Sequence, residues 1–308
     1  MMPSCFDRTR KMNEVHNPMV CAEPERTNPM RTVIPWRNSA YLLALGLLFI
    51  ACYHQTLEWM YNRYVDPDSY YSQGFLIPFV SAYLVWGKRH ELRKENAKVC
   101  PLGLLLVVAA LLTHIAATVF YVFSLSGFSI LMLLLGISVF LLGIALTRII
   151  LFPLAFLIFM FPVPTYLIEQ ISFPMKMLVA KTGVAMVELL GIPVYRSGLY
   201  ITIPAGQLLV ANPCSGLWSL IAFLALGTLL AHMTQLSLWR KGLLILLTIP
   251  VALVSNMARV PMLILISHFW GLQAAAPHTA IHTATGVFMF ILGLFLLLGT
   301  AELLGWRR

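Results

Sequence analysis

The chain has 308 residues, of which 59% are hydrophobic and 11% are charged, whereas about 25% of an ordinary soluble domain is charged. This composition excludes a soluble enzyme. The net charge of +9 would suit nucleic acid only as a basic face on a folded surface, so we expect no nucleic-acid partner. Stretches without any charge, such as 99–147 and 197–239, are instead typical of segments that cross a bilayer.

In chain order, the sequence predicts a tail followed by a membrane domain. Residues 1–38 are polar, rich in Pro and Asn and charged with both signs, which predicts a flexible cytoplasmic tail. Residues 39–308 are predicted to form one polytopic, all-α transmembrane domain, because their Leu-rich runs lack the period-2 alternation of barrel strands. About eight spanning helices are expected, at 39–57, 74–87, 101–121, 127–147, 149–165, 215–238, 242–267 and 282–304.

The basic residues predict the orientation of these spans. Segments that the eight-span arrangement places on one side carry sixteen of the 21 Lys and Arg residues. Cytoplasmic loops retain Lys and Arg, so both termini are expected in the cytoplasm. The protein itself is expected in the inner membrane. The five basic residues outside this pattern are Arg63, Lys176, Lys181, Arg196 and Arg259.

The largest external segment, 166–213, is predicted to hold two structures. Apolar residues recur at helical intervals over 166–190, among Glu169 and Lys176, which predicts an amphipathic helix on the membrane surface. After Gly191, β-branched and aromatic residues are broken by "RSG" and "PAG", a pattern that predicts a short β-like hairpin.

Cys214 stands where the sixth span begins, in "ANPCSGLWSL". Asn212 suits an N-cap and Pro213 the first helical position, which would put Cys214 in the first turn. There the helix dipole would favour a thiolate. The alternative is that Cys214 is only a small packing residue.

Helix lengths place three chemically useful residues at the same membrane face. Cys214 lies 26 residues before Arg240, Arg259 lies 17 after Gly242, and His282 lies 25 before Arg307. At 1.5 Å per residue these are about 39, 26 and 38 Å, so each residue is expected at the external face. Arg259 could also snorkel to lipid headgroups there.

A thiol, an imidazole and a guanidinium together supply a nucleophile, a general acid/base and an oxyanion stabiliser for acyl transfer. This chemistry needs no cofactor, and none is expected. A metal site at His278 and His282 is disfavoured because the HxxxH pair lacks the Glu of metalloprotease motifs.

Around these residues the sequence resembles the exosortase/archaeosortase family of membrane cysteine transpeptidases. "VANPCSGLWSL", "SNMARVPML" and "HTATGVFMF" are similar to the family's Cys, Arg and His blocks, and "YYSQGFLIPFVSAYLVW" to an earlier block. The resemblance implies Cys214 as nucleophile, Arg259 as transition-state stabiliser and His282 as general acid/base. It also implies a periplasm-facing site and membrane-anchored substrates with a C-terminal sorting signal: a short motif such as PEP, one transmembrane helix and a basic tail. Exopolysaccharide-export proteins are the further partners it suggests.

Two other functions remain open from the residues alone. One is a transporter or flippase component for a polysaccharide or lipid-linked sugar, although transporters usually place polar groups near the bilayer midplane. The other is a non-catalytic scaffold in a polysaccharide-export complex. Only the cysteine enzyme requires Cys214 for activity.

Overall fold

The computed structural model describes residues 39–66, 69–210, 215–276 and 279–306, and the predicted tail 1–38 lies outside them. The described chain is mainly helical, with one small sheet. The helices are α1 (Ser39–Val65), α2 (Leu76–Gly87), α3 (Arg89–Leu92), α4 (Pro101–Val119), α5 (Phe123–Ile149), α6 (Leu151–Phe156), α7 (Thr165–Glu188), α8 (Leu217–Met233), α9 (Leu238–Met257), α10 (Arg259–Trp270) and α11 (Ala280–Leu303). The strands are β1 (Tyr195–Ser197), β2 (Tyr200–Ile203) and β3 (Gly206–Leu209).

Four helical segments of the described chain are long and apolar enough to cross a membrane: α4, α5, α9 with α10, and α11. A fifth candidate is a pair of helices, Leu151–Met160 and Thr165–Glu188, which is bent by 74°. The structure therefore confirms a helical membrane protein but not the count of eight spans. The predicted second span is a helix of 12 residues, about 18 Å long, which is shorter than the hydrocarbon core of about 30 Å.

The predicted fifth span, 149–165, is wrong as one continuous helix. α6 ends at Phe156, a 3₁₀ turn covers Leu157–Met160, and Phe161 has an extended backbone. Pro162 and Pro164 explain the interruption, because proline lacks the N–H that a helix needs and disfavours helical geometry in the residue before it.

The segment after this break contains the predicted helix, α7, and the predicted hairpin as part of a larger sheet. β1, β2 and β3 form a three-stranded antiparallel sheet in that order. The "RSG" and "PAG" interruptions are two separate turns, and two turns make three strands. Gly198 in the first turn has a φ of 64°, which glycine adopts without a steric penalty.

Small residues allow the helices to approach closely, as is common in membrane proteins. A Cβ on Gly103 of α4 would overlap the backbone nitrogen of Phe140 in α5. Likewise, a Cβ on Gly227 of α8 would overlap the side chain of Thr248 in α9. Gly103 therefore packs directly against the backbone of α5 and Gly227 against the Thr248 side chain, and neither position has room for a larger residue.

Two buried clusters hold the ends of α9, α10 and α11 in place. One joins α7, the sheet and α10, and includes Val179, Ile201 and Ile264. The other joins α8, α9 and α11 through residues such as Phe223 and Leu297. These clusters fix the region where Arg259 and His282 lie.

Candidate active site

Arg259 is the first residue of α10, just after a break in the predicted span 242–267. α9 ends at Met257 and α10 begins two residues later. Pro261 accounts for the break, since it has no N–H to donate to the carbonyl of Met257 four residues earlier. Proline is well tolerated in a first helical turn. Arg259 is thus held at the junction between α9 and α10.

His282 lies in the first turn of α11 and is buried, with 7% of its surface exposed. Its backbone N–H donates to the hydroxyl of Thr279, the N-cap residue, at 3.2 Å. Its Nδ1 lies 3.2 Å from the carbonyl oxygen of Ala275. Because a carbonyl only accepts, Nδ1 must carry the proton, so in the neutral ring the lone pair is on Nε2.

The structure brings Arg259 and His282 into contact. Nη2 of Arg259 donates to the carbonyl oxygen of His282 at 3.2 Å, and the Thr285 hydroxyl donates to the same oxygen at 2.8 Å. Gly286, one turn further along α11, leaves room for the guanidinium: a Cβ there would lie 3.0 Å from Nη2. The guanidinium of Arg259, at the start of α10, is therefore held against the backbone of the first turn of α11, which carries the His282 imidazole.

Cys214 lies outside the described residues, as do Asn212 and His278. The described chain resumes at Ser215, which is fully buried. α8 begins only at Leu217, so the predicted N-cap at Asn212 is wrong. The residue before the helix is Gly216, whose φ of 80° is left-handed and cannot belong to the helix.

Asn256 connects the start of α8 to the Arg259 region. It is buried, and a Cβ on Gly216 would lie 2.8 Å from its Nδ2. Asn256 and Arg259 also border a small cavity of about 30 Å³, together with Trp218 and Gly286. Sequence reasoning missed Asn256 and Gly286, although both stand inside the blocks that contain the arginine and the histidine.

Two larger cavities were also not predicted. One, of about 360 Å³, lies between β3, α10 and the 3₁₀ turn Leu272–Ala275, and His282 forms part of its wall. The other, of about 570 Å³, contains Arg63, Asp66, Glu169 and Lys176 in its wall. A signal for the second was present: Arg63 and Lys176 were among the cations that the orientation rule left unexplained.

The fold and these contacts define a helical membrane protein with a buried histidine against an arginine at a helix junction. Comparison with known families identifies it further: residues 36–299 match the family described as Transmembrane exosortase (Exosortase_EpsH). The match covers most of the chain, so the protein belongs to this family of membrane cysteine transpeptidases and proteases, which act on membrane-associated substrates. No curated protein and no solved structure matches the chain.

Proposed function

We propose that the protein is a membrane-embedded cysteine transpeptidase or protease that cleaves the C-terminal sorting signal of secreted proteins through a thioacyl-enzyme. The contact between Arg259 and the carbonyl of His282 carries this proposal. It holds the guanidinium against the turn of α11 that carries the His282 imidazole, so that two of the three groups that the acyl-transfer chemistry needs lie at adjoining helix starts.

Chain connectivity supports Cys214 as the third group. Two peptide units separate Cys214 from Gly216, which limits the distance between their Cα atoms to about 7 Å. Gly216 packs against Asn256, which is one helical turn before Arg259. This short connection supports the proposal that Cys214 acts together with Arg259.

In the proposed reaction, Nε2 of His282 accepts the thiol proton as Sγ of Cys214 attacks the carbonyl carbon of the scissile peptide bond. The carbonyl electron pair moves to oxygen, and the guanidinium of Arg259 stabilises the resulting oxyanion. His282 then gives its proton to the leaving nitrogen as the C–N bond breaks, which leaves a thioester on Cys214.

A second nucleophile, an amine or water, then attacks the thioester and releases the product. The proposed substrate carries a PEP-like motif, a transmembrane helix and a basic tail. We place both termini of the enzyme in the cytoplasm and its site at the periplasmic face, because the eight-span arrangement then puts sixteen of the 21 basic residues inside. The basic tail of the substrate would stay on that same cytoplasmic side. Proteins of exopolysaccharide export are the proposed functional partners.

The test is processing of a tagged secreted protein with such a C-terminal signal, expressed in the same cells. Cys214→Ala should leave the full-length substrate in the membrane. Cys52→Ala is the matched control, since Cys52 is a free, exposed cysteine of α1, and it should process normally. Normal processing by Cys214→Ala would overturn the proposal. Polysaccharide uptake into vesicles that survives loss of Cys214 would favour a transporter instead.

A further inference from the structure

β3 lies at the edge of the described sheet, and some of its backbone N–H and C=O groups point away from its partner strand, β2. In the sheet order β1-β2-β3 it pairs with β2, and among the described residues no strand pairs with its other side. Edge strands present unpaired N–H and C=O groups and readily accept a further strand. His282 lines the cavity beside β3, so a peptide on this edge would lie near the proposed general acid/base.

The register shows which residues of β3 point outward. The N–H of Val210 donates to the carbonyl of Leu199, the residue directly opposite. In an antiparallel pair, hydrogen-bonded and non-hydrogen-bonded pairs alternate. Leu208, two residues earlier, therefore also bonds toward β2, whereas Gln207 and Leu209 direct their backbone groups to the outer edge.

The apolar cavity of about 360 Å³ lies along this same edge. Its wall contains Leu208 and Val210 from the sheet, Leu263 and Ile264 from α10, and His282. Leu208 and Val210 alternate with Gln207 and Leu209, so they lie on the face of the sheet that packs against α10. A strand added at the outer edge would point every second side chain into the cavity.

We propose that the enzyme binds its substrate as an extended peptide added to the outer edge of β3, with an apolar side chain in the cavity beside His282. This inference rests on the proposed function, because the peptide is the segment next to the scissile bond. The backbone of Gln207 and Leu209 aligns the peptide, as in other cases of strand addition. The cavity selects an apolar side chain, and its volume falls within the usual range for ligand pockets, about 300–1,000 Å³.

The arrangement explains why the cavity wall includes a buried histidine. A peptide side chain held there places its own backbone next to the His282 ring. The hydrogen bond from Nδ1 of His282 to the carbonyl oxygen of Ala275 restricts rotation of the imidazole ring. The same binding step would therefore place the peptide side chain in the cavity and align the scissile bond.

The test uses peptide electrophiles, because they need no known natural substrate. Acetyl-tripeptide chloromethyl ketones carry leucine at the first, second or third residue from the electrophile and alanine elsewhere, and an all-alanine peptide is the reference. Alkylation of Cys214 in the full-length protein is followed by mass spectrometry. We expect one leucine position to react about 10-fold faster than the reference. N-methylation of that peptide's backbone should remove most of the gain.

Substitutions in the cavity wall test its role directly. Leu263→Phe fills the cavity and should abolish the preference for leucine, so that the leucine peptides and the all-alanine peptide react at similar rates. Leu263→Ala enlarges it and should shift the preference to phenylalanine. Leu246→Phe is the control, because Leu246 is 61% exposed on α9, and it should change neither rate.

Iodoacetamide separates failure of this inference from failure of the proposed function. If it alkylates Cys214 but no leucine position is preferred, or if Leu263→Phe leaves the preference intact, the strand-addition inference is overturned and the cysteine mechanism stands. If neither iodoacetamide nor any peptide alkylates Cys214, the proposed function is overturned and this inference with it.

Discussion

Replacing Gly286 by alanine tests whether the position of the Arg259 guanidinium matters for the reaction. A Cβ at residue 286 would lie 3.0 Å from Nη2 and 3.3 Å from Cζ of Arg259. Carbon and nitrogen atoms in ordinary contact are about 3.5 Å apart, so the guanidinium must move by about half an ångström. This movement should disturb the bond from Nη2 to the His282 carbonyl, which is already 3.2 Å long.

The expected loss of kcat follows from this displacement of the guanidinium. Loss of a whole oxyanion donor lowers kcat by about 10²- to 10³-fold, and a misplacement of about 1 Å can cost about 10²-fold. A shift of about half that size should lower kcat by about 10- to 100-fold. The fold should not weaken, because alanine in a helix is favoured over glycine by about 0.5–1 kcal/mol.

The assay compares the processing rate of the tagged substrate with the melting temperature of the purified protein. Gly299→Ala is the matched control: it lies in the same helix, and nothing stands within 4 Å of the Cβ it would gain. We expect both variants to keep their melting temperature and only Gly286→Ala to lose activity. Wild-type activity in Gly286→Ala would refute the role assigned to the guanidinium.

Three further substitutions probe the surroundings of the site and the helix packing. Gly216→Ala puts a side chain on a left-handed backbone, at a cost of about 1–2 kcal/mol, and pushes on Asn256. Both the melting temperature and the processing rate should therefore fall. An unchanged processing rate would argue against a role for the contact between residue 216 and Asn256. Thr279→Ala removes the hydroxyl that caps α11 and should destabilise the protein by about 1 kcal/mol, measured by thermal unfolding. Gly103→Val should prevent stable folding, because its side chain would overlap the backbone of α5, whereas Gly46→Val, with open space around it, should express and fold normally.

The long, strongly apolar helices could be predicted from the sequence because burial in a bilayer depends on composition. α4 and α11 begin within a few residues of their predicted starts. The interruptions of the helices were harder to predict, because they depend on single residues. Pro162 and Pro164 interrupt a run whose average hydropathy suggests one continuous span, whereas α9 and α10 remain one span-length segment despite the break before Pro261. The sheet has one strand more than the predicted hairpin because its two turns separate three strands.

For the site, the sequence identified residue types and helix ends but not contacts. Helix lengths placed Arg259 and His282 at the same face, and the structure shows the two in contact. The supporting residues could not be found in this way. Asn256 packs against Gly216, and Gly286 leaves space for the Arg259 guanidinium. These contacts exist only when α8, α9 and α11 are packed together, so the sequence alone does not show them. The cavity at the edge of β3 likewise depends on the register of the sheet.

The most direct test of the central claim is to trap the thioester on Cys214 with hydroxylamine. A thioacyl-enzyme reacts with this small amine, so the released product should end in a hydroxamate, which mass spectrometry distinguishes from a carboxylate. We predict hydroxamate on the product from the wild-type and Cys52→Ala proteins and no product from Cys214→Ala. Product that carries only a carboxylate, under conditions in which hydroxylamine consumes a model thioester, would contradict the account.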